Sequence, residues 1–321
     1  MTIKQVLQKT GFTHYKEEDF TARSIELRHG SEAVLWVHNL SGHGILDPSY
    51  WADDKYYQEE YRKEFSAFSK GHKVKSDEHF KIFKNLNKKQ FKQFSKHLKS
   101  NTNYIEVGCS FGGVFDHVVN FGAKEFVAIE PNREDADYLK HKYPSAKVIN
   151  SVFEDVNIEN NHYDVFASFE VLEHAHSPRK FLEKANNILK KGSILHLEVP
   201  NHYDVLLSCY RNINYDGFYY HKAHIHYFTP ESLKELCVEC GFDGDVTSFL
   251  MYPFFNHVYW HHNKGPQTNA REALNLPVPT CGDTEVQKKI NTFYKNTEER
   301  YEELINENML GDCLVFQGVK K

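Results

Sequence analysis

The residues able to do chemistry fall at the ends of apolar runs. Glu106-Val107-Gly108-Cys109-Ser110-Phe111-Gly112 follows the run Tyr104–Val107 and precedes a helical pattern from Val114 to Phe121. Strand, glycine-rich turn and helix together bring backbone N–H groups to a ligand at a helix N-terminus. Gly108 and Gly112 remove side chains where a ligand must approach the backbone. Glu130 ends a second apolar run, Lys124–Ile129. A carboxylate there suits a two-pronged hydrogen bond to the ribose hydroxyls of a nucleoside. A third run, Tyr163–Phe169, leads into Glu170-Val-Leu-Glu173-His174-Ala-His176, and a later segment holds His224-Ile-His226. Histidine titrates near neutrality, so each of these four is a candidate base for a hydroxyl proton. Glu170 and Glu173 could position substrate hydroxyls. No metal site is evident in the sequence, although these neighbouring carboxylates and histidines leave one open.

Two nucleoside cofactors use such a turn. A dinucleotide site reads G-x-G-x-x-G, whereas Ser110 stands here at the second glycine. Residues 106–112 resemble the first motif of class I S-adenosylmethionine-dependent methyltransferases, E/D-x-G-x-G-x-G, with serine at the middle glycine. Glu170-Val-Leu-Glu-His174, followed by a helix that Pro178 opens and Gly192 closes, resembles the fourth motif of the ubiquinone-biosynthesis and sugar-modifying members. Pro200-Asn201 and His224–Leu233 resemble further segments of that subgroup.

The resemblance covers about residues 100–250 and the last strand. It implies S-adenosylmethionine as cofactor and S-adenosylhomocysteine as product. The cofactor residues it implies are Glu106, Gly108, Cys109, Ser110 and Gly112 in the turn, with Glu130 and Pro131 at the ribose. Val152 and Phe153, with Asp155 beside them, would hold the adenine, and Phe169 and Glu170 close the site. His174, His176, His224 and His226 would serve catalysis. The implied reaction is methyl transfer to a hydroxyl of a small molecule or glycan, a surface-polysaccharide sugar among them. Two other readings stay open: an NAD(P)-dependent oxidoreductase, and a non-catalytic cofactor-binding assembly protein.

The elements that must position these residues predict an α/β fold. The resemblance implies a Rossmann-like seven-stranded sheet with helices on both faces and an antiparallel last strand. Residues 101–251 form the core, with a sixth strand at Asp245–Met251, and 312–321 the last strand. An N-terminal cap, 1–100, contains a strand near Ala33–Val37, a helix-like stretch at Glu59–Phe68 and an acidic-aromatic segment, Trp51–Tyr61, that resembles those covering the site in many small-molecule methyltransferases. The lysine-rich stretch Glu78–Leu98 has apolar residues at Phe80, Phe83, Leu86, Phe91, Phe94 and Leu98, a helical spacing. It reads as helix docked on the sheet with a solvated lysine face. Residues 252–311 are an insert, lid or oligomer interface, between the last two strands.

A net charge of −5 provides no global basic field for nucleic acid. No apolar run reaches the roughly 18 residues of a membrane helix. The N-terminus has no apolar segment typical of a signal peptide. The six cysteines are scattered, with Cys237-x-x-Cys240 the one close pair. A reduced, cytoplasmic setting follows, with a small-molecule or sugar-containing partner and a possible homo-oligomer.

Overall fold

A computed structural model describes residues 1–28, 30–52, 56, 75–267, 270–275 and 282–321. In chain order the strands are β1 (Phe20–Leu27), β2 (Ser31–His38), β3 (Gly44–Leu46), β4 (Asn103–Val107), β5 (Glu125–Ile129), β6 (Lys147–Ile149), β7 (Tyr163–Phe169), β8 (Leu189–Pro200), β9 (His226–Tyr227), β10 (Phe242–Phe249) and β11 (Cys313–Lys320). Seven of them form one sheet in the order β10-β11-β8-β7-β4-β5-β6. β4 to β8 run parallel, and β11 runs antiparallel to both β8 and β10. This is the α/β sheet the sequence predicts. All five residues of β4 are buried, as a central strand covered on both faces requires.

The helix Gly113–Phe121 turns Val114, Phe115 and Val118 into the core. The helix Ser76–Phe94 lies against it, and the contact depends on Gly113: a Cβ there would stand 1.9 Å from Asn87 Nδ2. The long helix leaves Lys84, Lys88 and Lys92 exposed. Its buried stripe differs from the apolar one predicted. His79, Ile82, Leu86, Asn87, Gln90 and Phe94 are inside, while Phe80, Phe83 and Phe91 are half-buried. Buried polar groups take polar partners here: Gln90 Nε2 donates to Glu198 Oε1 at 2.6 Å, and Ser76 Oγ donates to Asp135 Oδ1 at 2.8 Å.

A second sheet has the order β1-β2-β3-β9. β1 and β2 form a hairpin, and β3 pairs with β9, which returns from beyond β8. The N-terminal segment is thereby joined to the core, and Phe12, Ile45 and Phe228 share one apolar cluster with Leu197 and Val199. Glu59–Phe68 and most of Trp51–Tyr61 lie outside the described residues.

Two boundaries differ from expectation. Pro178 opens its helix, but the helix ends at Ile188. Leu189 already pairs with Tyr163, and Gly192 (φ +78°) sits inside a register shift between Tyr163 and Val165, so it turns a bulge rather than the helix end. β10 begins three residues before the predicted Asp245 because its pairing with β11 extends to Phe242–Lys320. The stretch 252–311 contains the helices Phe254–Asn263, Ala270–Leu274 and Glu285–Glu307.

Asp312 ties that stretch to the sheet. Its Oδ2 accepts from Met251 N at 2.7 Å and Tyr252 N at 3.0 Å, and Oδ1 lies 3.4 Å from Nε2 of the buried His257. Asp312→Ala is expected to destabilise the fold by about 3 kcal/mol, since it strands a buried partner. Urea denaturation would show this as a lower midpoint at unchanged slope. Among the described residues no helix is long and apolar enough to cross a membrane.

Candidate active site

The chain moves outward from β4 through β5 to β6, then returns to the other side of β4 as β7 and β8. Such a reversal leaves a crevice at the carboxyl ends of the strands. A cavity of about 540 Å³ opens there, within the usual range for a small-molecule site.

The turn after β4 supplies one wall. Gly108 has φ +75° and donates its N–H to Ile129 O at 2.8 Å. A Cβ at this position would lie 2.2 Å from Val171 Cγ2. Ser110 (φ +51°) and Glu170 (φ +56°) also line the cavity. Left-handed backbone costs a non-glycine residue roughly 1–3 kcal/mol and gathers at ligand sites.

Glu130 lies at the end of β5, on the same wall. Its Oε2 accepts from Ser110 N at 2.7 Å and its Oε1 from Asn132 N at 2.8 Å. The carboxylate therefore fixes the glycine-rich turn at the edge of the cavity. Pro131, Val152, Asp155 and Phe169 line the cavity too. Phe153 joins them, its ring held edge-on by Phe166 and Phe181 at 5.5 and 4.9 Å.

Three turn residues expected at the cofactor lie behind this wall. Glu106 is 2% exposed and accepts from Tyr104 Oη–H at 2.6 Å. Cys109 is buried with its S–H directed to Glu106 O. Gly112 caps the helix at φ +76°, where a Cβ would meet Leu139 at 2.5 Å. They shape the turn instead of facing the cavity, because its tight curl presents only Gly108 and Ser110.

The histidines divide similarly. His174 and His176 line the cavity. His174 Nδ1 is 2.7 Å from Ala223 O, and burial pulls its pKa down to about 4. His224 packs against His174 with ring centroids 4.8 Å apart. His226 is corrected: it is 1% exposed and does not line the cavity. The pairing of β9 with β3 carries its ring to His43, Nδ1 3.3 Å from His43 Nε2, and next to Phe12. Lys9, from the helix Ile3–Thr10, also lines the cavity. No motif in the sequence signals it, since only folding brings the N-terminal helix here.

Buried ionisable groups near the sheet set a pH dependence. Burial pushes Glu106 up to about 8 and also raises Glu198 and Asp204. A carboxyl with a raised folded pKa binds more protons folded than unfolded, so stability falls as pH rises through that range. Burial pulls His196 down to about 3 and His202 down to about 4. That contribution strengthens as pH rises and is complete once unfolded histidine is neutral, near pH 7. Between about pH 7 and 8 little of the histidine contribution is left to gain, the carboxyls dominate, and the melting temperature is expected to fall. Thermal melts at the two pH values check this; an unchanged or higher value at pH 8 would contradict it.

The methyltransferase-domain family matches residues 78–246, more than half of the 321, and the chain belongs to that family. Two Mycobacterium tuberculosis proteins bearing the name probable S-adenosylmethionine-dependent methyltransferase are each 21% identical over 138 residues, 43% of this chain and 47% of theirs. The chain spans about half the length of these curated relatives. An S-adenosylmethionine-dependent methyltransferase structure from Archaeoglobus fulgidus has the same fold, with TM-score 0.50 and 18% identity, over 76% of this chain and 97% of that one. A chain of the Haloferax volcanii complex between the Trm112 methyltransferase activator and a methyltransferase gives TM-score 0.51 and 14% identity, over 76% and 95%.

S-adenosylmethionine is accordingly the expected cofactor. The residues fit it: Gly108 leaves room at the turn, Glu130 presents a carboxylate, and Ile129, Val152 and Phe153 form an apolar slot.

Proposed function

We propose that this protein is an S-adenosylmethionine-dependent O-methyltransferase acting on a hydroxyl of a small molecule or glycan. The observation that carries the reading is that one cavity joins a nucleoside-type wall, Gly108, Glu130 and Phe153, to a histidine wall, His174 and His176. When bound, the cofactor supplies a methyl on a cationic sulfur, so that an O–C bond forms as the S–C bond breaks and a neutral thioether remains.

The protein's task is to hold the acceptor oxygen in line and to take one proton. His176 is the residue we assign to the proton, because it lies on the cavity wall. Glu170, at the end of β7, orients the acceptor. The N-terminal segment covers the acceptor side: Lys9 lines the cavity and sits over the Trp51 ring, 4.6 Å from its centroid, while that ring is 5.5 Å from His176. An aromatic face beside a cation suits a sugar, and the likeness of Glu170–His174 to the ubiquinone-biosynthesis and sugar-modifying subgroup supports the same class.

The test offers purified protein S-adenosylmethionine with nucleotide-sugars, glycans and non-sugar hydroxyl compounds. S-adenosylhomocysteine release and the mass of the product are measured. O-methylated sugar is expected. Methylation of non-sugar acceptors alone would remove the sugar assignment. Retained cofactor binding without turnover on any compound of a cell extract would favour a non-catalytic role.

A further inference from the structure

We propose that Glu173, His174 and His224 form a binding site for one divalent transition-metal ion on the acceptor side of the cavity. Glu173 is completely buried, and among the described residues neither of its carboxylate oxygens accepts a hydrogen bond. An ionised or neutral carboxyl left so in a dry interior is costly. The groups that face it are two imidazoles: His174 Nε2 at 3.4 Å and His224 Nε2 at 3.6 Å from Oε1. All three ligand atoms fall within 4.8 Å of one another. Ligands each about 2.0–2.2 Å from a shared ion must lie within about twice that distance of one another, and these nearly do.

The carbonyl of Ala223 can only accept, so the 2.7 Å contact assigns the proton of His174 to Nδ1. The lone pair of Nε2 then faces Glu173. Such outer contacts fix the tautomer and orientation of metal-bound histidines. One cation between the carboxylate and the imidazoles engages all of them together.

The site is also pre-assembled and reachable. Ile225 N donates to Glu173 O at 2.9 Å, clasping the loop that bears His224 to the turn after β7. The side chains of His174 and His224 are 14% and 12% exposed, and His174 lines the cavity. Two nitrogens and a carboxylate suit zinc, manganese, iron or cobalt better than calcium or magnesium. Three protein ligands leave coordination positions open for substrate oxygens. If the methyl-transfer reading holds, the favoured acceptors carry two adjacent oxygens, such as a vicinal diol. The metal site itself does not depend on that reading.

The experiment uses the untagged full chain. It is loaded separately with Zn²⁺ and Co²⁺ and desalted, and bound metal is measured by mass spectrometry and by cobalt visible absorption. The same measurements are made on Glu173→Gln and His224→Asn, with S-adenosylhomocysteine titrated into every sample. We expect about one equivalent in the native protein, at least tenfold weaker binding in both variants, and cofactor affinity within about threefold throughout. Well under one equivalent in the native chain, or equal loading of the variants, would overturn the site. A protein that binds S-adenosylhomocysteine without metal fails this inference alone. One that binds metal without S-adenosylhomocysteine fails the methyl-transfer reading and leaves the metal site standing.

Discussion

Gly108→Val is expected to weaken S-adenosylhomocysteine binding at least about 100-fold, or about 2.8 kcal/mol, in a protein that still folds. Two costs combine. The residue holds φ +75°, which a β-branched side chain resists. Its first side-chain carbon would also sit 2.2 Å from Val171 Cγ2, so the turn after β4 or the residue beyond Glu170 must shift. A shift moves Ser110 N away from Glu130, undoing the 2.7 Å hydrogen bond that sets the turn against β5. Calorimetry gives the affinity, and a circular-dichroism melt shows whether the fold survives. Native affinity in the variant would mean that the ligand does not approach this turn.

His176→Ala is expected to lower kcat by about 100-fold, the lower end of what a positioned base contributes, with S-adenosylhomocysteine affinity within twofold of native. The separation matters, because a merely structural histidine would change stability and affinity together. His176 lies on the cavity wall beside His174 and Ser177, and the hydrogen bonds that set Glu130 against Ser110 and Asn132 do not pass through it. A steady-state assay with the best acceptor from the panel measures kcat, and calorimetry the affinity. Unchanged kcat would move the proton to solvent or another group.

The sequence announces the large sheet because each strand is a local apolar run followed by its own turn. β4 with Gly108, β5 with Glu130 and β7 with Glu170 can be read one segment at a time. The small sheet is different. β9 has two residues and acquires its identity by pairing with β3, more than 180 positions earlier. Nothing in its local pattern encodes that partner, and the placement of His226 against His43 is lost with it. Gly192 misleads for a related reason: a glycine after a helical run reads as a terminator, while the pairing of Leu189 with Tyr163 has already begun the strand.

Within the site, spacing identifies which turn ligands approach but not which side chains turn inward. Glu106 belongs to the motif, yet its carboxyl is buried against Tyr104. Glu173 follows the same strand as Glu170, but only the fold places it between His174 and His224. Lys9 reaches the cavity through the N-terminal packing, which no short-range pattern specifies, whereas Trp51, beside His176, belongs to the segment the sequence marks as a cover.

The nucleoside site is tested most directly by calorimetric titration of S-adenosylhomocysteine, beside NAD, into the native chain and Glu130→Ala. Saturable binding of S-adenosylhomocysteine alone is expected, weakened at least tenfold, about 1.4 kcal/mol, by the substitution. Tight NAD binding without S-adenosylhomocysteine binding, or an affinity indifferent to Glu130, would contradict it.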